Sequence, residues 1–97
     1  MKKFLPALLL LSIVCSPALA AQKKVDIYIT SWCPYCRKLE SFLKDQHIDY
    51  TRHDIESDEA SAEEFDSLGG EGVPLLRVGK EVIRGYDPQR VLQELKK

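Results

Sequence analysis

The stretch that decides the fold is SWCPYC at residues 31–36, where two cysteines flank a proline and a tyrosine. Two cysteines at this spacing form a redox-active pair, half of a zinc site or an inert bridge. The preceding VDIYI at residues 25–29 is short, β-branched and mostly apolar, which predicts a buried strand. Pro34 favours the first position of a helix. The cysteines therefore lie where a strand is followed by a helix.

Apolar spacing and turn residues predict six further elements. In chain order these are a helix over about 34–46, a strand over 48–55, a helix from Ser57-Asp58 to Gly69-Gly70, strands over 75–78 and 81–84 around a Gly79-Lys80 turn, and a helix begun by Asp87-Pro88. The order β-α-β-α-β-β-α implies a parallel strand pair with an antiparallel hairpin in the same sheet. We expect an α/β fold with a mixed four-stranded sheet and helices on both faces.

Side chains at helical spacing predict which helix faces are buried. The second helix is expected to bury Ala62, Phe65 and Leu68, and the last helix Val91, Leu92 and Leu95. His47 and His53 are expected to be exposed polar residues, at a helix end or on a strand. The resulting core holds about a dozen sizeable apolar side chains, and a core of that size gives marginal stability.

The composition fits one small globular domain. The chain has 97 residues, 44% of them hydrophobic and 30% charged, which leaves no room for a second domain. Its formal net charge is −1 and no basic patch dominates, which argues against nucleic acid as a partner. We expect the protein to be a monomer.

Residues 1–20 have the pattern of a secretory signal peptide, which leaves residues 21–97 as the mature domain. A positive MKK start is followed by an apolar stretch and by an A-x-A cleavage pattern at residues 18–20. Two alternatives are a retained membrane anchor, for which the apolar run is short, and a lipoprotein anchor at Cys15. We expect export to the periplasm or outside the cell, without stable membrane association. Cleavage would remove Cys15, so only Cys33 and Cys36 would remain, in a compartment that permits disulfides.

The positions of the two cysteines predict different roles for them. Cys33 precedes the predicted helix, where unpaired backbone N–H groups and the helix dipole favour a thiolate. We therefore expect Cys33 to expose its sulfur and to act as the nucleophile. Cys36 lies one turn further on, so its sulfur should be covered, and it is expected to resolve the mixed disulfide formed at Cys33.

Other chemistry for the pair has less support in the sequence. A structural zinc site needs four ligands, and only His47 and His53 offer further soft ligands. A bridge that closes so short a loop would add little stability. We therefore expect no metal and no tightly bound cofactor. The alternative from another functional class is a non-catalytic module that binds a metal or a protein partner.

The sequence resembles the glutaredoxin family over about residues 24–97. Residues 33–36, CPYC, are identical to the dithiol motif of glutaredoxins, and the element order matches the thioredoxin fold that they use. Gly72-Val73-Pro74 stands where the family has a T-V-P loop, and Gly85-Tyr86-Asp87 stands near its G-G-x-D segment. The resemblance implies a thiol–disulfide oxidoreductase that acts on protein disulfides or glutathione mixed disulfides. Glutathione would be a cosubstrate, and a separate electron donor would reduce the dithiol.

The resemblance also implies roles for individual residues. Pro74 would follow a cis peptide bond and face the dithiol, and the backbone of Val73 would pair with an incoming cysteine-containing peptide. A residue before proline does prefer an extended backbone, which is suited to strand addition. Tyr35 would line the substrate groove. Asp87 would hold a substrate amine, as it does for glutathione in the family, although Asp87-Pro88 is also a typical helix start.

Three single positions and one short segment depart from the glutaredoxin pattern. Gly72 replaces the threonine of the loop, Arg84 replaces the first glycine of the pair, and Pro88 replaces a second acid. Thr30-Ser31-Trp32 stands where glutaredoxins often carry a lysine, and a tryptophan directly before the first cysteine is more similar to thioredoxin. We therefore expect weaker use of glutathione than in a typical CPYC glutaredoxin.

Overall fold

The computed structural model describes residues 22–97, so the predicted signal peptide lies outside the described residues. The elements are β1 (Val25–Ile29), α1 (Pro34–Asp45), β2 (Thr51–Asp54), α2 (Glu59–Ser67), β3 (Leu75–Val78), β4 (Glu81–Arg84) and α3 (Pro88–Lys96). The predicted order of elements is confirmed. Within residues 22–97, no helix combines the length and the apolar character that crossing a bilayer requires.

The strands form one mixed sheet in the order β2-β1-β3-β4. β1 pairs with β2 in parallel, and β1–β3 and β3–β4 are antiparallel. In this register Ile27 lies opposite Arg52 on one side and Leu76 on the other. The predicted mixed four-stranded sheet is therefore confirmed.

Alternating side chains of the central strands separate the core into two layers. Val25, Ile27 and Ile29 of β1 pack in one cluster with Leu39 and Leu43 of α1 and with Val91 of α3. Tyr28 of β1 and Leu75 of β3 pack on the other side with Phe65 of α2. Because side chains alternate along a strand, α1 and α3 cover one face of the sheet and α2 covers the other. The prediction of helices on both faces is confirmed.

β2 is shorter than the sequence predicts. It begins at Thr51 rather than at residue 48, because at residue 48 the backbone is still hydrogen-bonded to the end of α1. His47 adopts a left-handed conformation with φ 57°, and the amide of Ile48 donates a hydrogen bond to the carbonyl oxygen of Leu43 at 2.9 Å. That amide is therefore not available to a strand ladder.

The buried faces of α2 and α3 also differ from the prediction. Leu92 is 36% exposed, whereas Glu94 is only 3% exposed, so the expected burial of Leu92 was wrong. Glu94 is accommodated because its carboxylate lies 3.2 Å from both Arg90 and Lys97. In α2, Ser61 is buried together with Phe65, while Ala62 and Leu68 are half-buried.

The expectation that His53 is an exposed polar residue was also wrong. His53 Nε2 lies 2.9 Å from Asp26 Oδ1, and its ring stacks on Tyr28 with the ring centroids 4.7 Å apart. Arg77 Nη2 donates to Asp26 Oδ2 at 3.0 Å. The carboxylate of Asp26 is 2% exposed. His53 is thus part of a polar cluster on the face of the sheet that α2 covers, whereas His47 is exposed as expected.

Candidate dithiol site

The site is built at the junction between β1 and α1. Cys33 is the N-cap of α1 with an extended backbone, φ −82° and ψ 116°, and Pro34 occupies the first turn. The backbone N–H of Cys36 donates a hydrogen bond to Cys33 Sγ, with the two atoms 3.2 Å apart. Free backbone donors at a helix start stabilise negative charge on a sulfur placed there. A backbone donor of the first helical turn is therefore directed at Cys33 Sγ.

Both thiols are unbonded and both are covered. Cys33 is 4% exposed and Cys36 is 1% exposed. The expected exposed sulfur at Cys33 was therefore wrong. The loop before β3 covers this sulfur, since Cys33 Sγ lies 3.9 Å from the carbonyl oxygen of Val73. Both cysteines belong to the core cluster that includes Leu39, but of the two only Cys33 also lines a groove at the surface.

The environment of Cys36 keeps its thiol protonated. Burial, together with the side-chain hydrogen bond that the Cys36 thiol makes to Cys33, raises the pKa of Cys36 to about 12. A thiol with such a pKa carries little thiolate near neutral pH and is a poor first nucleophile. The two cysteines are thus chemically different in the reduced protein.

The loop opposite the cysteines presents backbone to the groove. The peptide bond between Val73 and Pro74 is cis, as the family resemblance implies. Pro74 and the following Leu75 are buried, and the carbonyl oxygen of Pro74 accepts a hydrogen bond from the amide of Gly85 at 2.9 Å. The carbonyl oxygen of Val73 lies 3.9 Å from Cys33 Sγ.

The groove beside Cys33 has a volume of about 460 Å³. Its lining consists of Thr30, Trp32, Cys33, Pro34, Tyr35, Ile55, Glu56, Phe65, Glu71, Gly72 and Val73. Trp32 and Tyr35 are the most exposed aromatic side chains of the described chain, at 61% and 57%. Tyr35 is one of the lining residues, as predicted, and its ring stacks on that of Tyr86 with the ring centroids 6.5 Å apart.

Asp87 is not among the residues that line this groove. Its carboxylate accepts a hydrogen bond from the backbone N–H of Arg90 at 3.2 Å and thereby caps α3. The helix-start interpretation of Asp87-Pro88 is therefore confirmed. The role of Asp87 in holding a substrate amine stays a prediction.

Sequence reasoning did not identify several groove residues. Glu56 reaches the groove because Asp54 Oδ1 accepts hydrogen bonds from the amides of Glu56 and Ser57, which folds the chain into a turn after β2. Trp32 Nε1 then donates to both carboxylate oxygens of Glu56 at 3.0 Å. The tryptophan directly before Cys33 is the sequence signal that pointed to this region. Glu56 gave no such signal, because its contact spans 24 residues of chain.

No group of three or more His, Cys, Asp or Glu side chains converges within residues 22–97 in the way that a metal ion would need. Cys33 is the only cysteine or histidine among the residues that line the groove.

Comparison with known proteins places this geometry in a family. The glutaredoxin family model matches residues 25–83. A glutaredoxin-like protein of Clostridium pasteurianum is 31% identical over 68 residues, which cover 69% of this chain and 91% of the relative. A glutaredoxin of Pseudomonas aeruginosa is 32% identical over 72 residues, 71% of this chain and 83% of the relative. The crystal structure of a thioredoxin-like protein superposes with a TM-score of 0.70 and 25% identity, covering 74% of this chain and 100% of that chain.

Proposed function

The chain belongs to the glutaredoxin family of thioredoxin-fold thiol–disulfide oxidoreductases, and we propose that Cys33 is its nucleophile and Cys36 its resolving thiol. The observation that carries this assignment is the contrast between the two sulfurs. Cys33 Sγ accepts the backbone N–H of Cys36 at the helix start and borders the groove, whereas the pKa of Cys36 is raised to about 12. Disulfide exchange by a dithiol needs one thiolate that attacks the substrate disulfide and a second thiol that later attacks the mixed disulfide.

The proposed reaction has two steps. The Cys33 thiolate attacks one sulfur of a substrate disulfide, that bond breaks, and the departing substrate sulfur leaves as a thiolate. Cys36 then gives its proton to this thiolate or to water and attacks Cys33 Sγ. The mixed disulfide breaks, the second substrate thiol is released, and a Cys33–Cys36 disulfide remains. A separate thiol donor returns two electrons to restore the dithiol.

We propose that the substrate docks as an extended strand along Val73. Its carbonyl oxygen lies 3.9 Å from Cys33 Sγ, so a cysteine paired with this residue would place its sulfur beside the nucleophile. The candidate substrates are protein disulfides and glutathione mixed disulfides. Glutathione would act as a cosubstrate, more weakly than in a typical CPYC glutaredoxin, and no cofactor would be tightly bound. The protein would act as a monomer.

The test compares two single-thiol variants of the purified protein, with the wild type as reference. Cys33→Ser is expected to abolish reduction of a disulfide-linked protein such as insulin, because no nucleophile remains at the groove. Cys36→Ser is expected to retain attack but to accumulate a mixed disulfide that intact-mass measurement detects. Each variant is the matched control for the other, since both lose one thiol. Reduction by Cys33→Ser at the wild-type rate would contradict the assignment.

Export is proposed from the sequence pattern of residues 1–20 alone. In an exported protein the dithiol would act in the periplasm or outside the cell, where protein disulfides are common. The electron donor would then be a protein or thiol of that compartment rather than the cytosolic glutathione pool.

A further inference from the structure

We propose that the groove selects polypeptide cysteines that lie next to a lysine or arginine, through an acidic rim formed by Glu56 and Glu71. This inference rests on the proposed function, because it concerns the substrate of the same nucleophile. Both glutamates are exposed and line the groove that Cys33 borders. The occupant is an extended segment of a basic protein substrate.

The two carboxylates of the rim have no cationic partner among the described residues. Neither Glu56 nor Glu71 takes part in an ion pair within residues 22–97. The indole of Trp32 holds the carboxylate of Glu56 in place through both oxygens, and an indole N–H carries no charge. Arg84 borders a neighbouring cleft with Glu71, but its guanidinium donates to the carbonyl oxygen of Gly69 at 2.8 Å and forms no ion pair with Glu71. A cation supplied by a substrate would therefore meet two negative charges.

The nearest positive side chains of α1 lie on the other side of Tyr35. Arg37 and Lys38 line a separate hollow together with Tyr86. Lys38 Nζ lies 5.3 Å from the centroid of the Tyr35 ring. The surface around Cys33 is therefore divided by Tyr35 into an acidic side, which includes the groove, and a basic side, which does not. Because of this division the groove is negatively charged, and it would attract a positively charged substrate segment.

An unpaired hydroxyl in the same groove points independently to a polar ligand. Thr30 is 5% exposed and lines the groove, and its Oγ1 has no hydrogen-bond partner among the described residues. Buried hydroxyls are normally hydrogen-bonded, so an unpaired one in a binding groove is a candidate contact for a bound group. A backbone amide or carbonyl of an extended peptide would provide that partner.

The apolar part of the lining would contact a hydrophobic side chain of the substrate. Trp32, Ile55, Phe65 and Val73 offer apolar surface beside the acidic rim. An aromatic or aliphatic side chain would bury against them while the neighbouring cation faces Glu56 and Glu71. Glutathione matches this groove poorly, because it carries two carboxylates and a single ammonium group. The acidic rim thus gives a physical reason for the weaker use of glutathione that the sequence predicts.

The test uses three synthetic peptides that differ at one position beside a single cysteine. That position is Lys, Gln or Glu, and each cysteine is activated as a mixed disulfide with 2-thiopyridine. Attack by Cys33 joins the peptide to the protein and releases the uncharged chromophore, so each single turnover is measured by absorbance. At low salt we expect the Lys peptide to react about tenfold faster than the Glu peptide, with Gln between them. Added salt is expected to bring the three rates together.

Two variants connect this preference to the rim. The double variant Glu56→Gln with Glu71→Gln is expected to reduce the tenfold ratio to about twofold. Glu63→Gln removes the same kind of charge from an exposed position of α2 that does not line the groove, and it is expected to keep the tenfold ratio. Equal rates for the three wild-type peptides would overturn the charge selection while leaving exchange by Cys33 intact. No reaction with any peptide would overturn the proposed function as well.

Discussion

At the scale of single residues, Asp26 shows how a buried charge is retained. Burial alone would raise the pKa of its carboxyl group, but hydrogen bonds from His53 and Arg77 and the nearby charge of Lys24 outweigh this effect, so the pKa lies below its ordinary value of 3.8. A carboxylate with a lowered pKa stabilises the fold when it is ionised. This stabilisation is complete above the unfolded pKa and is lost as the pH falls through the folded value.

Asp26→Asn is expected to remove this pH dependence. The variant should lose about 1–3 kcal/mol of unfolding free energy near pH 7, because Arg77 and His53 lose a charged partner. The wild type should then weaken more steeply than the variant as the pH falls below 3.8. Denaturant unfolding at several pH values measures both effects. The control is Asp66→Asn, at an exposed position of α2. Parallel pH profiles for wild type and Asp26→Asn would contradict the account.

At the scale of elements, α3 depends on the cap that Asp87 provides. Asp87→Ala is expected to cost about 1 kcal/mol of unfolding free energy, because the amide of Arg90 loses its acceptor. Asp87→Ser should cost much less, because serine is also a good N-cap. Thermal or denaturant unfolding separates the two. Equal losses in both variants would show that the carboxylate charge matters rather than the cap. Loss of glutathione mixed-disulfide turnover in both variants would instead support the predicted binding role.

Two of the three glycines between α2 and β3, Gly70 and Gly72, differ in the space around them. A Cβ on Gly70 would lie 2.5 Å from Cζ of Phe65, whereas a Cβ on Gly72 would have no heavy atom within 4 Å. Gly70→Ala is therefore expected to destabilise the fold by about 1–3 kcal/mol, because Phe65 is packed against Tyr28 and Leu75. Gly72→Ala is expected to stabilise it by about 0.4–1 kcal/mol, because the unfolded chain loses freedom.

Unfolding in denaturant measures the two variants under the same conditions, and each is the control for the other. Equal stability of Gly70→Ala and wild type would contradict the close approach of Phe65 to this segment.

At the scale of the whole molecule, the sequence predicted the features that depend on neighbouring residues. The hairpin bounds at Leu75–Val78 and Glu81–Arg84 follow from the Gly79-Lys80 turn and were predicted correctly. The caps of α1 and α3 follow from cysteine or aspartate directly before proline. These signals lie within a few residues of the structure that they specify.

The features that were missed depend on partners distant in the chain. The partial burial of His53 depends on Asp26, which precedes it by 27 residues. Glu94 is buried in place of Leu92 because it accepts hydrogen bonds from Arg90 and Lys97. The burial of Cys33 needs the Val73 carbonyl, 40 residues later. The spacing of apolar residues carries no information on such pairs, so the acidic rim was not predictable from it either.

Processing of the N-terminus is the prediction that concerns the whole chain. If residues 1–20 are a signal peptide, intact-mass measurement of the exported protein is expected to show an N-terminus at Ala21. Thiol counting should then find two cysteines, since Cys15 is removed with the signal peptide. A lipid-modified Cys15 at the N-terminus would contradict this and attach the protein to a membrane.

Competitive alkylation identifies directly which of the two thiols, Cys33 or Cys36, is the nucleophile. The reduced wild-type protein is treated with limiting iodoacetamide at a series of pH values from about 5 to 9, and the modified cysteine is identified by peptide mass. We expect modification of Cys33 throughout this range, with Cys36 unmodified, because the pKa of Cys36 is raised to about 12. Modification of Cys36 before Cys33, or of both at equal rates, would contradict the assignment.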